Sequence, residues 1–270
     1  MRAALVVMFL AACIPAPGPQ DAGSSPVTVR VMTWNARQLG ADGGTSAAVA
    51  EQVAALHPDL VTLQELTSAA MLDDLVARLP GYEGRAGVLA AGSGGLLQAV
   101  LWKPDVLSVE SVENIFTSGT EAAGFPRPPL VWKTTVTARS AQFKVVAVHL
   151  KAGARAADEQ TRITALSTLE QSIHADAATL LLGDFNEALS DPRSGEAFAP
   201  FTGDRYRVQT LGLADAGVVT FLPAHLYFDH VVSTLALDAG TVTIPPLDTT
   251  VGGYLQNVSD HLPVVLDVTF

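Results

Sequence analysis

The stretch ATLLLGDFNEALS, residues 178–190, constrains this chain more than any other. Its apolar run, bounded by Gly183, reads as a buried strand. Alternate side chains of a strand share a face, so Asp184 and Asn186 are expected to leave its C-terminal end together while Phe185 packs the other way. A carboxylate beside an amide suits a site for metal and phosphate: the anion can hold a cation or its water, and the amide can donate to a developing oxyanion. The same pair also suits a strand-end turn closed by its own backbone bonds. Other residues decide between the two.

A chain of 270 residues with 49% hydrophobic content can bury the core of one large domain. Residues 1–12, MRAALVVMFLAA, are too short to span a bilayer and read as a secretory signal peptide. Cys13 closes LAAC and resembles the bacterial lipoprotein box, in which the cysteine becomes the lipidated N-terminus. The expected product is exported, tethered to a bacterial membrane of the cell envelope by acyl chains at Cys13, and touches the membrane only through them. Ordinary secretion is the alternative. Residues 13–26 carry that cysteine and a Pro/Gly/Ser-rich linker, and residues 27–270 form the domain.

Within the domain, VTVRVMTWN is an alternating β-rich run ending on Asn35, and LVTLQEL a buried-looking strand ending on Glu65. Helical patterns cover residues 46–56, 68–79 and 155–174. Strand-like runs are expected near 82–91 and 95–103, joined by a hairpin at GSGG, with an edge strand at 105–115. Two more follow, LVWKTTVTA and FKVVAVHL, the second ending on His149. After residue 190 a loop is expected up to Arg207, then the strands LYFDHVVST, carrying Asp229, and SDHLPVVLDV, opened by Asp260 and His261.

Each polar strand end has an ordinary structural role. A carboxylate such as Glu65 in an apolar strand needs a partner, and a cation or an arginine would serve. Arg127, before two prolines, is either a solvated loop arginine or a phosphate contact. His149 alone reads as a core histidine, and Asp260-His261 before Pro263 as a turn.

As an ordered set these residues say more. Asn35, Glu65, His149, GDFN at 183–186, Asp229 and SDH-x-P at 259–263 resemble the endonuclease/exonuclease/phosphatase superfamily of DNase I, abasic-site endonucleases, sphingomyelinases and inositol-polyphosphate phosphatases. The resemblance implies a DNase I-like α/β fold: a four-layered sandwich of two facing, mostly antiparallel mixed sheets flanked by helices. It implies that Asn35, Glu65 and Asp260 hold Mg²⁺, or Mn²⁺ or Ca²⁺ in its place. Asp184 would orient or deprotonate the attacking water and Asn186 would donate to phosphate or water. His149 and His261 would face the phosphate, Asp229 would orient His261, and Arg127 would bind the substrate.

The sequence also departs from the DNase I branch. The strand GGLLQAVLWKP lacks the glutamate that pairs with the first histidine there, and Gln98 is the nearest polar candidate. Tyr227 stands where Arg or Lys is frequent, and Pro128 follows Arg127 where that branch has Glu. The expected activity is a metal-dependent, nuclease-type phosphodiesterase acting as a monomer. A hydrolase of lipid or sugar phosphates and a non-catalytic binding module on the same fold are the alternatives. Substrates would be phosphodiesters or phosphomonoesters, nucleic acid among them, although a net charge of −11 argues against nonspecific binding of polyanions.

Overall fold

The computed structural model describes residues 25–41, 45–90, 93–174, 178–189, 194–235 and 242–270. Residues 1–12, Cys13 and most of the linker lie outside the described residues. Among the described residues no helix is long and apolar enough to cross a membrane.

The first sheet takes β1 (Thr28–Leu39), β2 (Leu60–Leu66), β3 (Glu83–Ala86) and β4 (Leu97–Trp102), with α1 (Ser46–Leu56) and α2 (Ala69–Arg78) between its early strands. The second takes β5 (Leu107–Asn114), β6 (Arg127–Val136), β7 (Ala141–His149), α3 (Ala156–Ile173) and β8 (Thr179–Asp184), then α4 (Ser194–Phe198), β9 (Arg207–Val208), α5 (Leu211–Asp215) and β10 (Asp229–Ser233). The chain returns to the first sheet through β11 (Val242–Thr243), α6 (Leu247–Thr250), α7 (Tyr254–Asn257) and β12 (Val264–Thr269).

The strand orders are β11-β12-β1-β2-β4-β3 and β5-β6-β7-β8-β10-β9. Each sheet has one parallel pair, β1/β2 and β7/β8, and each pair is connected through a helix, α1 or α3, as a parallel crossover requires. The other pairings among the described residues are antiparallel.

Three apolar layers follow from period-2 alternation along the strands. On β1, Val29 and Val31 turn toward the second sheet and meet Leu130, Trp132, Val145, Leu180 and Leu182. Met32 and Trp34 turn outward onto α1, α2 and Tyr254. On the far side, Val146, Val148, Leu181 and Phe185 pack against Leu166, Leu169 and Phe198 of α3 and α4. The result is the expected four-layered sandwich of two mixed sheets flanked by helices.

Three local expectations change. The run at 82–91 yields a strand only over Glu83–Ala86. The stretch from 194 holds α4 and a 3₁₀ turn, because Phe198 and Phe201 are buried in the layer beneath α3. The strand expected at LYFDHVVST starts at Asp229, since Leu226 is used in a bridge to Phe221 and the Phe228 amide donates to Thr220 Oγ1 at 2.9 Å.

Candidate active site

Four of the sequence-derived residues form one row across the second sheet. Arg127 on β6 is the register partner of His149 on β7, His149 of Asp184 on β8, and Asp184 of Asp229 on β10. Register partners on neighbouring strands project from the same face. Here that face looks toward the first sheet: Leu180 and Leu182, four and two residues before Asp184, belong to the layer between the sheets. The row is thus the polar end of an otherwise apolar face.

Gly183 makes this row feasible. Its φ is +142°, and a Cβ there would lie 2.0 Å from the Val148 carbonyl oxygen. Only glycine lets β8 approach β7 this closely while presenting Asp184 beside His149.

The first sheet supplies the opposing wall. Asn35 continues the inward face of Val29, Val31 and Thr33, and its Nδ2 donates to Asp184 Oδ2 at 2.9 Å and lies 3.3 Å from Glu65 Oε1. Its Oδ1 accepts from the Arg37 amide at 3.0 Å. Asn35 therefore turns its donor, not the oxygen expected to ligate a metal, toward the acids. Glu65 arrives by another route. Strict alternation puts it with Val61 and Leu63 on the helix-facing side, but its φ of +65° coincides with a break in register between Leu63 and Leu66. The bulge re-aims the carboxylate into the site, where Oε2 accepts from the Gln38 amide at 3.0 Å and Oε1 lies 3.6 Å from His149 Nε2. Beneath it, Thr33, Thr62 and Gln64 share hydrogen bonds of 2.8 to 3.3 Å in a buried polar layer that the sequence reading missed.

Asp184 closes a turn as well as the row. Its Oδ1 accepts from the Asn186 amide at 2.8 Å, and Asn186 has φ of +50°, so it has left the strand and does not share the face of Asp184 by alternation. The turn reading of GDFN therefore holds, and Asp184 stands in the row across the sheet at the same time. Asn186 still lines the pocket, with Nδ2 3.3 Å from the Leu150 carbonyl.

His261 enters from the turn before β12. Nδ1 sits 2.7 Å from Asp229 Oδ2 and Nε2 is 3.9 Å from Asp184 Oδ2. Its backbone is fixed on three sides: the carbonyl accepts from Trp34 Nε1 at 2.9 Å and Tyr254 at 2.5 Å, and the amide donates to Ser259 Oγ at 3.0 Å. Ser259 also donates to the Asn35 carbonyl at 2.7 Å, tying β1 to the SDH turn. Asp260 lies at the rim, its Oδ2 3.8 Å from Arg37 Nε.

Burial and charge set the protonation states. Burial and the Asp229 charge, against His261 and the Asn35 hydrogen bond, push Asp184 up to about 7. Burial opposes the charge on His261, but Asp229, Asp184 and Asp260 overcome it and raise the ring to about 10. His149 goes the other way: burial, then the charges of Arg127 and His261, hold it neutral well below the ordinary histidine range. Burial also lowers Arg127, which the Asp184 and Glu65 charges partly offset.

Glu65, Arg127, His149, Asp184, Asn186, Asp260 and His261 line a cavity of about 510 Å³ together with Arg37, Gln38, Leu96, Ala152 and Phe221, while Asp229 and Asn35 lie behind this lining. Arg127 reaches it while a guanidinium nitrogen donates to the Leu150 carbonyl. Gln98 does not pair with His149: its amide donates to the Pro128 carbonyl at 2.8 Å, and His149 Nδ1 is buried with no hydrogen-bond partner among the described residues.

A divalent cation fits the oxygen donors here. Asp184, Asp229 and His261 bring ligand-type atoms within 4.8 Å of one another, but His261 Nδ1 and Asp229 Oδ2 are already hydrogen-bonded to each other. The side chains of Glu65 and Asp260 are 19% and 23% exposed, against 2% for Asp184, and present carboxylate oxygens where an ion can enter.

Comparison with known proteins agrees with this geometry. The Endonuclease/Exonuclease/phosphatase family matches residues 32–261. No curated protein matches. Among solved structures, a humanized D. rerio TDP2 is 18% identical with a TM-score of 0.66, covering 89% of this chain and 98% of its own. The human Nocturnin catalytic domain with a bound sulfate anion is 18% identical, with a TM-score of 0.63, covering 91% and 97%. A Bacteroides thetaiotaomicron mannosyl-6-phosphatase is 13% identical, with a TM-score of 0.61, covering 90% and 99%. At these identities the structures show the same fold. The family match runs from Met32 to His261 and so takes in every strand that carries the row: the chain belongs to the Endonuclease/Exonuclease/phosphatase family and is a hydrolase of phosphoric ester bonds.

Proposed function

We propose that this hydrolase is a divalent-metal-dependent phosphodiesterase in which water attacks phosphorus. The observation that carries the reading is the row Arg127–His149–Asp184–Asp229, with Glu65 and His261 facing it. Glu65 and Asp260 would hold the cation, Mg²⁺ being the hard ion best matched to carboxylates, with Mn²⁺ or Ca²⁺ able to replace it. Bound there, the ion would supply charge stabilisation at the phosphoryl oxygens. Asp184, raised toward neutrality, accepts the proton of the attacking water. His261, held protonated by Asp229, faces the developing charge and can give a proton to the leaving oxygen. Neutral His149 and Arg127 donate to the non-bridging oxygens, and the second N–H of Asn186 remains available for the water or phosphate.

A sugar or lipid phosphate is the second reading, favoured by the net charge of −11 and by the fold shared with a mannosyl-6-phosphatase. Nucleic acid stays within the first, as the fold is also shared with a TDP2 complexed with single-strand DNA product. Rates on bis(p-nitrophenyl) phosphate, DNA, RNA and hexose 6-phosphates, each with Mg²⁺, Mn²⁺ and Ca²⁺ and in excess chelator, test both. Hydrolysis of diesters that stops in chelator is expected. Turnover of hexose phosphates alone would establish the second reading, and full turnover in chelator would overturn the metal.

The same proposal places the enzyme outside the cytoplasm as a monomer on a lipid anchor, with the domain starting at Val27. Its support is the apolar leader at residues 1–12 and LAAC ending at Cys13. Incorporation of labelled fatty acid by the wild type and not by Cys13→Ser is the expected result, and equal labelling removes the anchor.

A further inference from the structure

Beside the catalytic pocket lies a second cleft of about 660 Å³, and the two share Ala152, Asn186, Phe221 and His261. One wall is aromatic and begins at the catalytic histidine. The Phe221 ring lies 4.9 Å from the His261 ring and 5.3 Å from Phe228, with which it stacks at 20°. Leu226, Ala188 and Ala224 continue the apolar lining. The volume is that of a small-molecule site, and a stacked aromatic wall favours a planar group over a flexible one.

The charges of the cleft decide what it refuses. Apart from His261, which the cleft shares with the catalytic pocket, the cation of its lining is Arg162, which is buried and committed: Nε meets Glu187 Oε2 at 2.6 Å, and Nη1 donates to the Lys151 and Gly153 carbonyls at 2.9 Å each. The remaining charged residues of the lining, Glu159 and Glu187, are acids. A second anion, placed beyond the phosphate that His261 and Asn186 face at the shared end, would lose its water while the Arg162 donors are already taken, which is costly for an ion.

Resting on the phosphoesterase reading above, we propose that the substrate carries on its phosphate an uncharged, planar apolar group that binds along Phe221 and Phe228, and that the cleft excludes a further anion. A polynucleotide running in this direction would bring its next phosphate into a cleft whose arginine is already committed.

Nonhydrolysable phosphonates separate this from the catalytic reading. Calorimetric affinities of the metal-loaded protein for methylphosphonate, phenylphosphonate and 4-carboxyphenylphosphonate give the cleft's contribution as ratios. Phenyl is expected to bind about tenfold more tightly than methyl, the size of one good aromatic contact, and the para-carboxylate should abolish the gain. Phe228→Ala, or Ala224→Glu on the exposed turn should Phe228→Ala fail to fold, should bring the phenyl-to-methyl ratio toward one. A ratio near one in the wild type, a gain that survives Ala224→Glu, or a carboxylate that binds as well as phenyl would overturn the proposal. A protein that hydrolyses no phosphate ester yet shows the phenyl preference would instead sink the catalytic reading and keep the cleft.

Discussion

Asp229 Oδ2 and His261 Nδ1 lie 2.7 Å apart in a buried pair, although the two residues are 32 positions apart in sequence. The carboxylate fixes the tautomer that turns Nε2 toward Asp184 and keeps the ring charged up to about pH 10. kcat/KM should rise as Asp184 ionises, at or below about pH 7 because a bound cation can only lower it, and fall as His261 loses its proton near 10. In Asp229→Asn the alkaline limb should move down toward 6.5, the ordinary histidine value, and kcat should drop by about 10²- to 10⁴-fold. The stability effect has the same direction. A raised folded-state value means the pair stabilises the native state below 6.5 and that this is lost as pH climbs to about 10. Denaturation of wild type and Asp229→Asn across that window measures it; an alkaline limb unmoved by the mutation would remove the dyad from the mechanism.

Gly183→Ala tests the close approach of β7 and β8. A methyl group 2.0 Å from the Val148 carbonyl oxygen, at φ of +142°, cannot be accommodated without separating the strands. The expected cost is about 2–4 kcal/mol, read from the urea midpoint. Activity should fall further than stability does, because the same separation moves His149 from Asp184. An active, fully stable Ala variant would show that the row tolerates slippage.

How much of this was legible in the sequence depends on which rule governed each residue. Asp184 and His149 were legible because they end apolar strands whose alternation continues undisturbed to the last residue. Glu65 was legible only as an out-of-place carboxylate: a bulge and a left-handed backbone aim it, and no period-2 pattern contains either. Asn186 and β10 were misplaced for the same reason, since side-chain-to-backbone bonds at Asp184 and Phe228 end the extended chain early. Ser259 and Gln64 sit inside the very motifs that were singled out, but their role is to bond neighbouring strands, and pairing across β1 has no local signature.

Glu65→Gln isolates the cation. The amide keeps the shape, and the Gln38 amide can still donate to its oxygen, but the charge is gone. Mn²⁺ affinity by calorimetry should fall at least about tenfold, in line with losing a charged ligand. Activity should partly recover at high metal concentration. Unchanged affinity would move the ion away from Glu65 toward Asp184 and Asp229.

Arg162 and Glu187 form a buried pair that joins three segments of the site. The guanidinium leaves α3, binds the loop after β7 through the Lys151 and Gly153 carbonyls, and binds Glu187, one residue past Asn186. From the other side, His230 Nε2 lies 2.8 Å from the Glu187 carbonyl and its Nδ1 2.9 Å from Thr210 Oγ1. Burial holds His230 down at about 4, so it is a neutral, structural histidine despite its place beside Asp229. Arg162→Met alone breaks this buried charge pair and should cost about 3–5 kcal/mol. The double variant Arg162→Met/Glu187→Leu removes both charges and should regain much of that stability, as apolar replacements of buried pairs often do. It should not regain activity, because the two carbonyls and the Asn186 turn have lost their common tether while every catalytic side chain is still present. Comparing urea midpoints with kcat for the single and double variants separates the two effects: a stable double variant with wild-type kcat would mean that the pair only fills the core and positions nothing.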